Sequence, residues 1–390
     1  MAKTPEAVFK FLFDLWKPAL EKSKREAVDM QQIINSEGHG FKLAGWDWWY
    51  YAEKVKKEKY ALDEEMLRPY FQMENVRKGA FDVASELYGI QFVKLNNIPV
   101  YDKDVDVYEV KEADGTHIGL LYTDYFPRNG KRAGAWMSNF RGQSDMDGEF
   151  ITPLVVNVGN FSKPTEGTPA LLSLDEVHTL FHEFGHALNG LFTKSIYPGA
   201  KRSPVDFVEL PSQIMENWAL NPKVLKMYAK HYQTGEPIPD ELIQKITNSQ
   251  YFNKGFESVE YLAASILDMD WHTTTNLNSI DPLKFEDSCL SKIDLIPEIA
   301  SRYQSTNFNH IFGGDGYSAG YYGYYWAAVL DADAFGAYLE NGLFDRHTAE
   351  LFRINILEKS GSDVPMNLYI KFRGREPKPD ALMERFGFNK

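Results

Sequence analysis

Apolar residues near the start of the chain recur at helical spacing. Phe9, Leu12, Phe13, Trp16 and Leu20 follow Thr4-Pro5, an N-cap with proline in the first turn, and predict a helix to about Asn35. After a loop over 36–40, further helices are expected from near Trp46 and from Glu74 to Tyr88, with Gly89 as a stop. The period then changes to two. Val105, Val107 and Val110 lead through Ala113-Asp114-Gly115 to His117–Tyr122, and Arg132–Met137 and Leu154–Val158 make further short strands. Helical periodicity returns from Ser173. It continues past a connection at Pro198-Gly199 and Ser203-Pro204, and resumes with Phe256, Val259, Leu262 and Ile266 in a core helix over Asn253–Asp270. The pattern predicts a mainly α (α+β) chain. Its expected parts are a helical region over 1–100, a small antiparallel sheet over 101–170 and a helical region over 171–390, all one unit.

Within the returning helical stretch stands His182-Glu183-Phe184-Gly185-His186. Positions four apart lie on one face of a helix, so both imidazoles can aim at a single ion, with Glu183 beside it. Two neutral imidazoles suit zinc, and a neighbouring carboxylate suits the removal of a proton from water. Composition alone predicts only about 0.03 chance matches in 390 residues. Ser173 and Glu176 form a capping box that starts this helix, and Gly190 is expected to stop it. His178 extends the row, but pairing it with His182 would put Thr179 where the base belongs, so it reads as a structural neighbour.

A catalytic zinc site needs a third protein donor. Asp206, Glu209 and Glu216 compete for that place, with Glu209 favoured. The strands before the zinc helix could expose an edge to an extended peptide, and Gly134 and Ala135 would allow close backbone approach. Downstream, glycines at 313, 314, 316, 320 and 323 cannot all serve a stable helix and suggest a loop that enters one. His310 and five tyrosines line this stretch. Tyr317, Tyr321 and Tyr324 fall at helix-like spacing, which would place three hydroxyls on one face as donors to an oxyanion.

Net charge narrows the partners. The chain carries 42 Lys+Arg against 55 Asp+Glu, a net −13, with no basic run, which argues against nucleic acid. No apolar stretch approaches membrane-spanning length, so no membrane partner is expected. The lone cysteine, Cys289, excludes an internal disulfide and fits a reducing, cytoplasmic setting.

Taken together, Phe181–His186, Asp206–Gln213 with Glu216-Asn217-Trp218, Glu260–Ala264 through Trp271-His272, His310–Trp326 and Phe372–Pro377 resemble the thimet oligopeptidase family of zinc peptidases. The likeness lies nearest its bacterial peptidyl-dipeptidases and oligopeptidase A. It implies zinc held by His182, His186 and Glu209, with Glu183 as proton carrier. It implies that His310, Tyr317 and Tyr324 bind substrate or stabilise the transition state, and that Tyr321 lies near the substrate. The family fold implies a helical body with a small sheet along a channel that admits short, unstructured peptides, residues 1–100 contributing to the wall. Relatives carry a further N-terminal helical region, which implies that region of the same protein as a partner. Release of C-terminal dipeptides is the expected reaction, with endo-acting cleavage and an inactive peptide-binding fragment as alternatives. A terminal carboxylate would need an anchor, for which Arg132, Arg141, Tyr321 and Tyr325 are candidates.

Overall fold

The computed structural model describes residues 1–146, 148–197, 203–276, 280–359 and 361–388. Pro198-Gly199, expected in a connection, lie outside them. The chain opens with α1 (Pro5–Ser36), α2 (Trp48–Tyr60), the short α3 (Glu64–Leu67) and α4 (Met73–Tyr88). Thr4 caps α1 by accepting the Ala7 N–H, and Gly89 ends α4 in the left-handed region.

A five-stranded sheet follows: β1 (Gln91–Leu95), β2 (Val105–Lys111), β3 (His117–Asp124), β4 (Trp136–Arg141) and β5 (Leu154–Val158). Its strand order is β1-β2-β3-β5-β4. The expectation of an antiparallel sheet is corrected here, because β3 and β5 pair in parallel, Leu120 with Leu154 through Asp124 with Val158. The cause is the path of the chain. After β3 it skips one strand position, runs back as β4, and fills the gap with β5 in the direction of β3. β1 also joins the sheet although it falls inside 1–100, the stretch expected to be helical. β4 lies at an edge with Ser138–Arg141 exposed, whereas β5 is buried over Val155–Val158.

The sheet packs on α5 (Leu174–Phe192). Here Gly190 is no stop: the helix runs two residues further, and a β-carbon at 190 would sit 3.2 Å from Met137 Cε and 3.3 Å from Val155 Cγ2. The missing side chain lets the helix lie against the sheet. Beyond it come α6 (Val205–Val208), α7 (Leu210–Ala219), α8 (Pro222–Tyr228), α9 (Asp240–Asn248) and α10 (Lys254–Thr273). The chain closes with α11 (Pro282–Lys292), α12 (Asn309–Phe312), α13 (Gly323–Asn341), α14 (Arg346–Phe352), α15 (Pro365–Arg373) and α16 (Asp380–Arg385). No helix among the described residues is long and apolar enough to cross a membrane.

Two apolar cores hold these layers. One joins α4, α5, α7 and the inner face of the sheet through Phe81, Val155, Phe184 and Leu210. The other packs α1 and α2 on α10 and α13 through Leu12, Trp48, Leu262 and Val329. Complete burial of side chains of this size contributes about 1.5–3 kcal/mol each, so the helices that carry the polar site are held by the apolar faces behind it.

Candidate active site

α5 and α7 build the centre of the site. The capping box begins α5: Ser173 Oγ accepts the Glu176 N–H at 3.1 Å, and Glu176 Oε2 accepts the Ser173 N–H at 2.8 Å. Two turns on, Phe181, Phe184, Ala187 and Leu188 are buried behind the helix, while His182 and His186 share its other face. α7 crosses close by. A β-carbon at Gly185 would lie 2.2 Å from the Pro211 carbonyl oxygen and 2.7 Å from Ser212 Cα. Glycine is therefore the residue that lets the two backbones meet. That approach delivers Glu209, just before α7, to the histidine pair.

The donor atoms converge. Glu209 Oε2 lies 3.3 Å from His182 Nε2 and 3.1 Å from His186 Nε2, and the three ligand atoms lie within 4.8 Å of one another. Such a set, two imidazoles and one carboxylate, suits a tetrahedral ion with a fourth position open. Around it, His182 and Glu209 have further partners. Glu216 Oε1 sits 2.6 Å from His182 Nδ1, which fixes the ring with Nε2 facing the site. Ser212 Oγ donates to Glu209 Oε2 at 2.9 Å, and the Tyr317 hydroxyl donates to Glu209 Oε1 at 2.7 Å. Asn157, buried on β5, donates to the Glu183 carbonyl at 2.7 Å and ties α5 to the sheet.

The charges are strongly coupled. Burial pushes the Glu209 carboxyl up, but the neighbouring His186 and hydrogen bonds from both imidazoles outweigh it and hold the group well below the carboxylate range. Burial draws His182 down, while its bonds to Glu209 and Glu216 hold it well above the usual histidine value. Glu183 differs. Its carboxyl is raised, chiefly by burial and against the pull of His182 and His186, and its Oε2 is buried without a hydrogen-bond partner. An unpartnered buried carboxylate oxygen is costly and rare, and here it stands beside the histidine pair. A bound metal and a reacting water are the partners that this donor set and orphaned oxygen fit.

The aromatic wall departs from the spacing argument. Tyr317 lies in the glycine-rich loop, Tyr321 in a turn, and only Tyr324 in the first turn of α13, so the three do not share a helix face. Tyr317 and Tyr324 nevertheless stack, with centroids 5.1 Å apart and planes 9° from parallel. Tyr321 is 1% exposed and packs on Tyr261, Phe308 and His310. Tyr325 is buried as well. His310 is half-buried, its ring 6.0 Å from that of Tyr317, and burial together with Arg302 lowers its pKa.

Gly134 and Ala135 lead directly into the exposed edge strand β4. Gly134 adopts φ +90°, a region that favours glycine, and its carbonyl accepts from Asn160 Nδ2 at 2.7 Å. Arg132 precedes the strand and lies over the Trp136 ring at 4.6 Å, and Arg141, its last residue, donates to the Thr152 carbonyl at 3.1 Å. His178 is not part of the donor set, and burial lowers its pKa. Of the other acids weighed for the third ligand, Asp206 accepts from the Ala2 N–H and the Tyr322 hydroxyl, and Glu216 orients His182. Gln213, one turn beyond Glu209, donates to the Tyr324 carbonyl at 3.1 Å. Ser212, Asn157 and Gly185 carried no sequence signal of these roles. Asn157 acts on a residue 26 positions away, Gly185 through its small size, and Ser212 on Glu209 three residues before it.

A family model described as Peptidase family M3 matches residues 1–388. Among curated proteins, the chain is 42% identical over 395 residues to a dipeptidyl carboxypeptidase of Escherichia coli (strain K12), covering 100% of this chain and 57% of that protein. It is 37% identical over 392 residues to oligopeptidase A of the same organism, covering 99% and 58%. The chain thus spans little more than half the length of these relatives. An M32 carboxypeptidase from Deinococcus radiodurans R1 shares the fold at a TM-score of 0.52 and 15% identity, over 99% of this chain and 75% of that one.

Proposed function

Because the chain belongs to peptidase family M3, we propose that it is a zinc-dependent peptidase that acts on short, unstructured peptides and releases C-terminal dipeptides. The observation that carries this reading is the convergence of His182, His186 and Glu209 beside the unpartnered carboxylate oxygen of Glu183. Zinc, when held by those three side chains, supplies Lewis acidity to a carbonyl oxygen and lowers the pKa of a water. Glu183 takes a proton from the attacking water at Oε2 and delivers it to the leaving amine. Its raised pKa suits a group that must both accept and return that proton. Glu216 keeps the His182 ring turned so that Nε2 faces the centre. Tyr317, Tyr324 or His310 donates to the oxyanion, Tyr317 by turning its hydroxyl from Glu209. The exposed edge of β4, entered through Gly134 and Ala135, offers backbone groups to an extended peptide.

Dipeptide release demands that a free terminal carboxylate be held at a set distance from the centre, and Arg132 and Arg141, both exposed beside β4, supply the charge. The test compares a short peptide with its C-terminally amidated twin. The free acid should be cleaved two residues from its end and the amide at least about tenfold more slowly, since a charge-assisted bond is lost. Equal cleavage of both at one internal bond would replace this reading with an endo-acting oligopeptidase.

A further inference from the structure

A second histidine–carboxylate pair stands on α10. Asp268 and His272, one turn apart, share a helix face. Asp268 is 0% exposed, and its carboxylate gathers three donors. Oδ1 accepts the Ala319 N–H at 3.0 Å and lies 2.8 Å from His272 Nδ1, while Oδ2 accepts the Tyr321 N–H at 2.9 Å. His272 Nδ1 also meets the Asp268 carbonyl at 2.8 Å. With only oxygen acceptors around it, Nδ1 carries a proton, and in the neutral ring Nε2 accepts the Ser318 hydroxyl, 2.7 Å away. Ser318 Oγ lies a further 3.2 Å from the Ile311 carbonyl.

Asp, His and Ser in this order resemble a hydrolytic triad, but the surroundings argue for another role. The Ala319 N–H, which an oxyanion at Ser318 would need, is turned onto Asp268. The contacts lead to the loop itself. Ser318 follows Tyr317, whose hydroxyl meets Glu209 Oε1 at 2.7 Å. Tyr321 precedes Tyr324, which stacks on Tyr317. Between the tyrosines, Ala319 holds φ +52°, a left-handed conformation that a β-carbon disfavours. The approach has glycines at 313, 314 and 316, residues that leave the backbone free to take many conformations. Something must hold the segment in one.

We infer that Asp268, His272 and Ser318 form a clamp that sets the 313–320 segment and so places the hydroxyls of Tyr317 and Tyr324 over the centre. All three are positioning residues, and their effect on turnover rests on the peptidase reading above. A loop displaced by about 1 Å can cost on the order of 10²-fold in rate, so the clamp acts on kcat more than on binding.

Ser318→Ala and His272→Gln test it, with Ser318→Thr as the variant that keeps the hydroxyl. Two readouts apply: amide hydrogen exchange across 313–322, and turnover of a short fluorogenic peptide by the zinc-loaded protein. Exchange in this segment should quicken about tenfold in Ser318→Ala and His272→Gln, and kcat should fall about tenfold with KM nearly unchanged. Ser318→Thr should keep parental values of both. On a Tyr317→Phe, Tyr324→Phe double background, His272→Gln should cost less than about twofold more, because its effect runs through those two phenols. Fully additive losses, or parental exchange in both weakened variants, would overturn the clamp. A folded parent that binds zinc and cleaves no peptide would sink the peptidase reading instead, and the exchange comparison would still decide the clamp.

Discussion

His182 with Glu216 and His272 with Asp268 are the same chemical pair used in opposite ways. Each imidazole gives Nδ1 to a carboxylate, at 2.6 Å and 2.8 Å respectively. In the first pair the carboxylate comes from a different helix, α7, and the far nitrogen faces Glu209 and the centre of the site. In the second it comes from one turn back on the same helix, and the far nitrogen faces Ser318 in a loop. The first pair joins two helices whose apolar backs are already packed, so the imidazole is held rigidly enough to serve as a ligand. The second binds a segment with little packing of its own, because Phe312 to Gly316 are all exposed. A histidine–carboxylate pair has no fixed meaning; what lies beyond the second nitrogen, and how firmly it is held, decides its work.

The largest expected effect falls on Glu183, beside the first pair. Glu183→Gln should lower turnover by about 10²-fold or more while zinc content, measured by elemental analysis, stays parental. The folded protein should melt no lower than the parent, since the change removes a buried carboxylate with an unpartnered oxygen. Near-full activity in this variant would break the mechanism at its central step. Next comes the contrast itself. Glu216→Gln should weaken zinc binding by about 10–100-fold, as loss of a group that orients a ligand does, whereas His272→Gln should leave zinc affinity within about twofold of the parent. Competition with a coloured chelator measures both, and equal losses would erase the distinction drawn between the two pairs.

The smallest effect concerns the start of α10, the helix that carries the second pair. Glu26 on α1 accepts the Gly255 and Phe256 N–H groups at 3.0 and 2.8 Å. Burial raises its pKa from 4.5 to about 7, against those two bonds and Lys22, with Glu257 adding to the rise. The folded protein therefore holds this proton more tightly than the unfolded chain does. The stabilisation is complete below pH 4.5 and is lost as pH rises through about 7. From pH 4.5 to 8 the loss from this group is at most about 3 kcal/mol. Glu26→Gln should flatten that part of the curve, as thermal melts across the range would reveal; an unchanged slope would assign the pH dependence to other groups.

Several features were legible because they are local. The capping box at Ser173, the four-residue spacing of His182 and His186, and the left-handed stop at Gly89 each involve a few neighbouring residues, and helix geometry alone places them. Other readings failed where a local pattern met a distant constraint. Tyr317, Tyr321 and Tyr324 keep helical spacing, yet α13 begins only at Gly323, and the glycines before it were the truer signal. Gly190 had the look of a helix end, but the sheet packed against it made its small size serve close contact. β1 escaped notice because its exposed, half-polar residues show little alternation.

By itself, then, the order of residues determined helices such as α1, α4 and α10, which face of α5 carries the histidines, and what chemistry a pair of imidazoles with a carboxylate can perform. Those properties depend on spacing within one or two turns. The tertiary structure decided the rest. Choosing Glu209 over Asp206 as the third donor at the centre required α7 to cross α5 at Gly185. The parallel pairing of β3 with β5 required a strand to be skipped. Joining Asp268 to Ser318, fifty residues away, required α10 and the glycine-rich loop to pack side by side. Contacts at such separations depend on how apolar faces bury one another across the whole chain, which no short stretch of residues specifies.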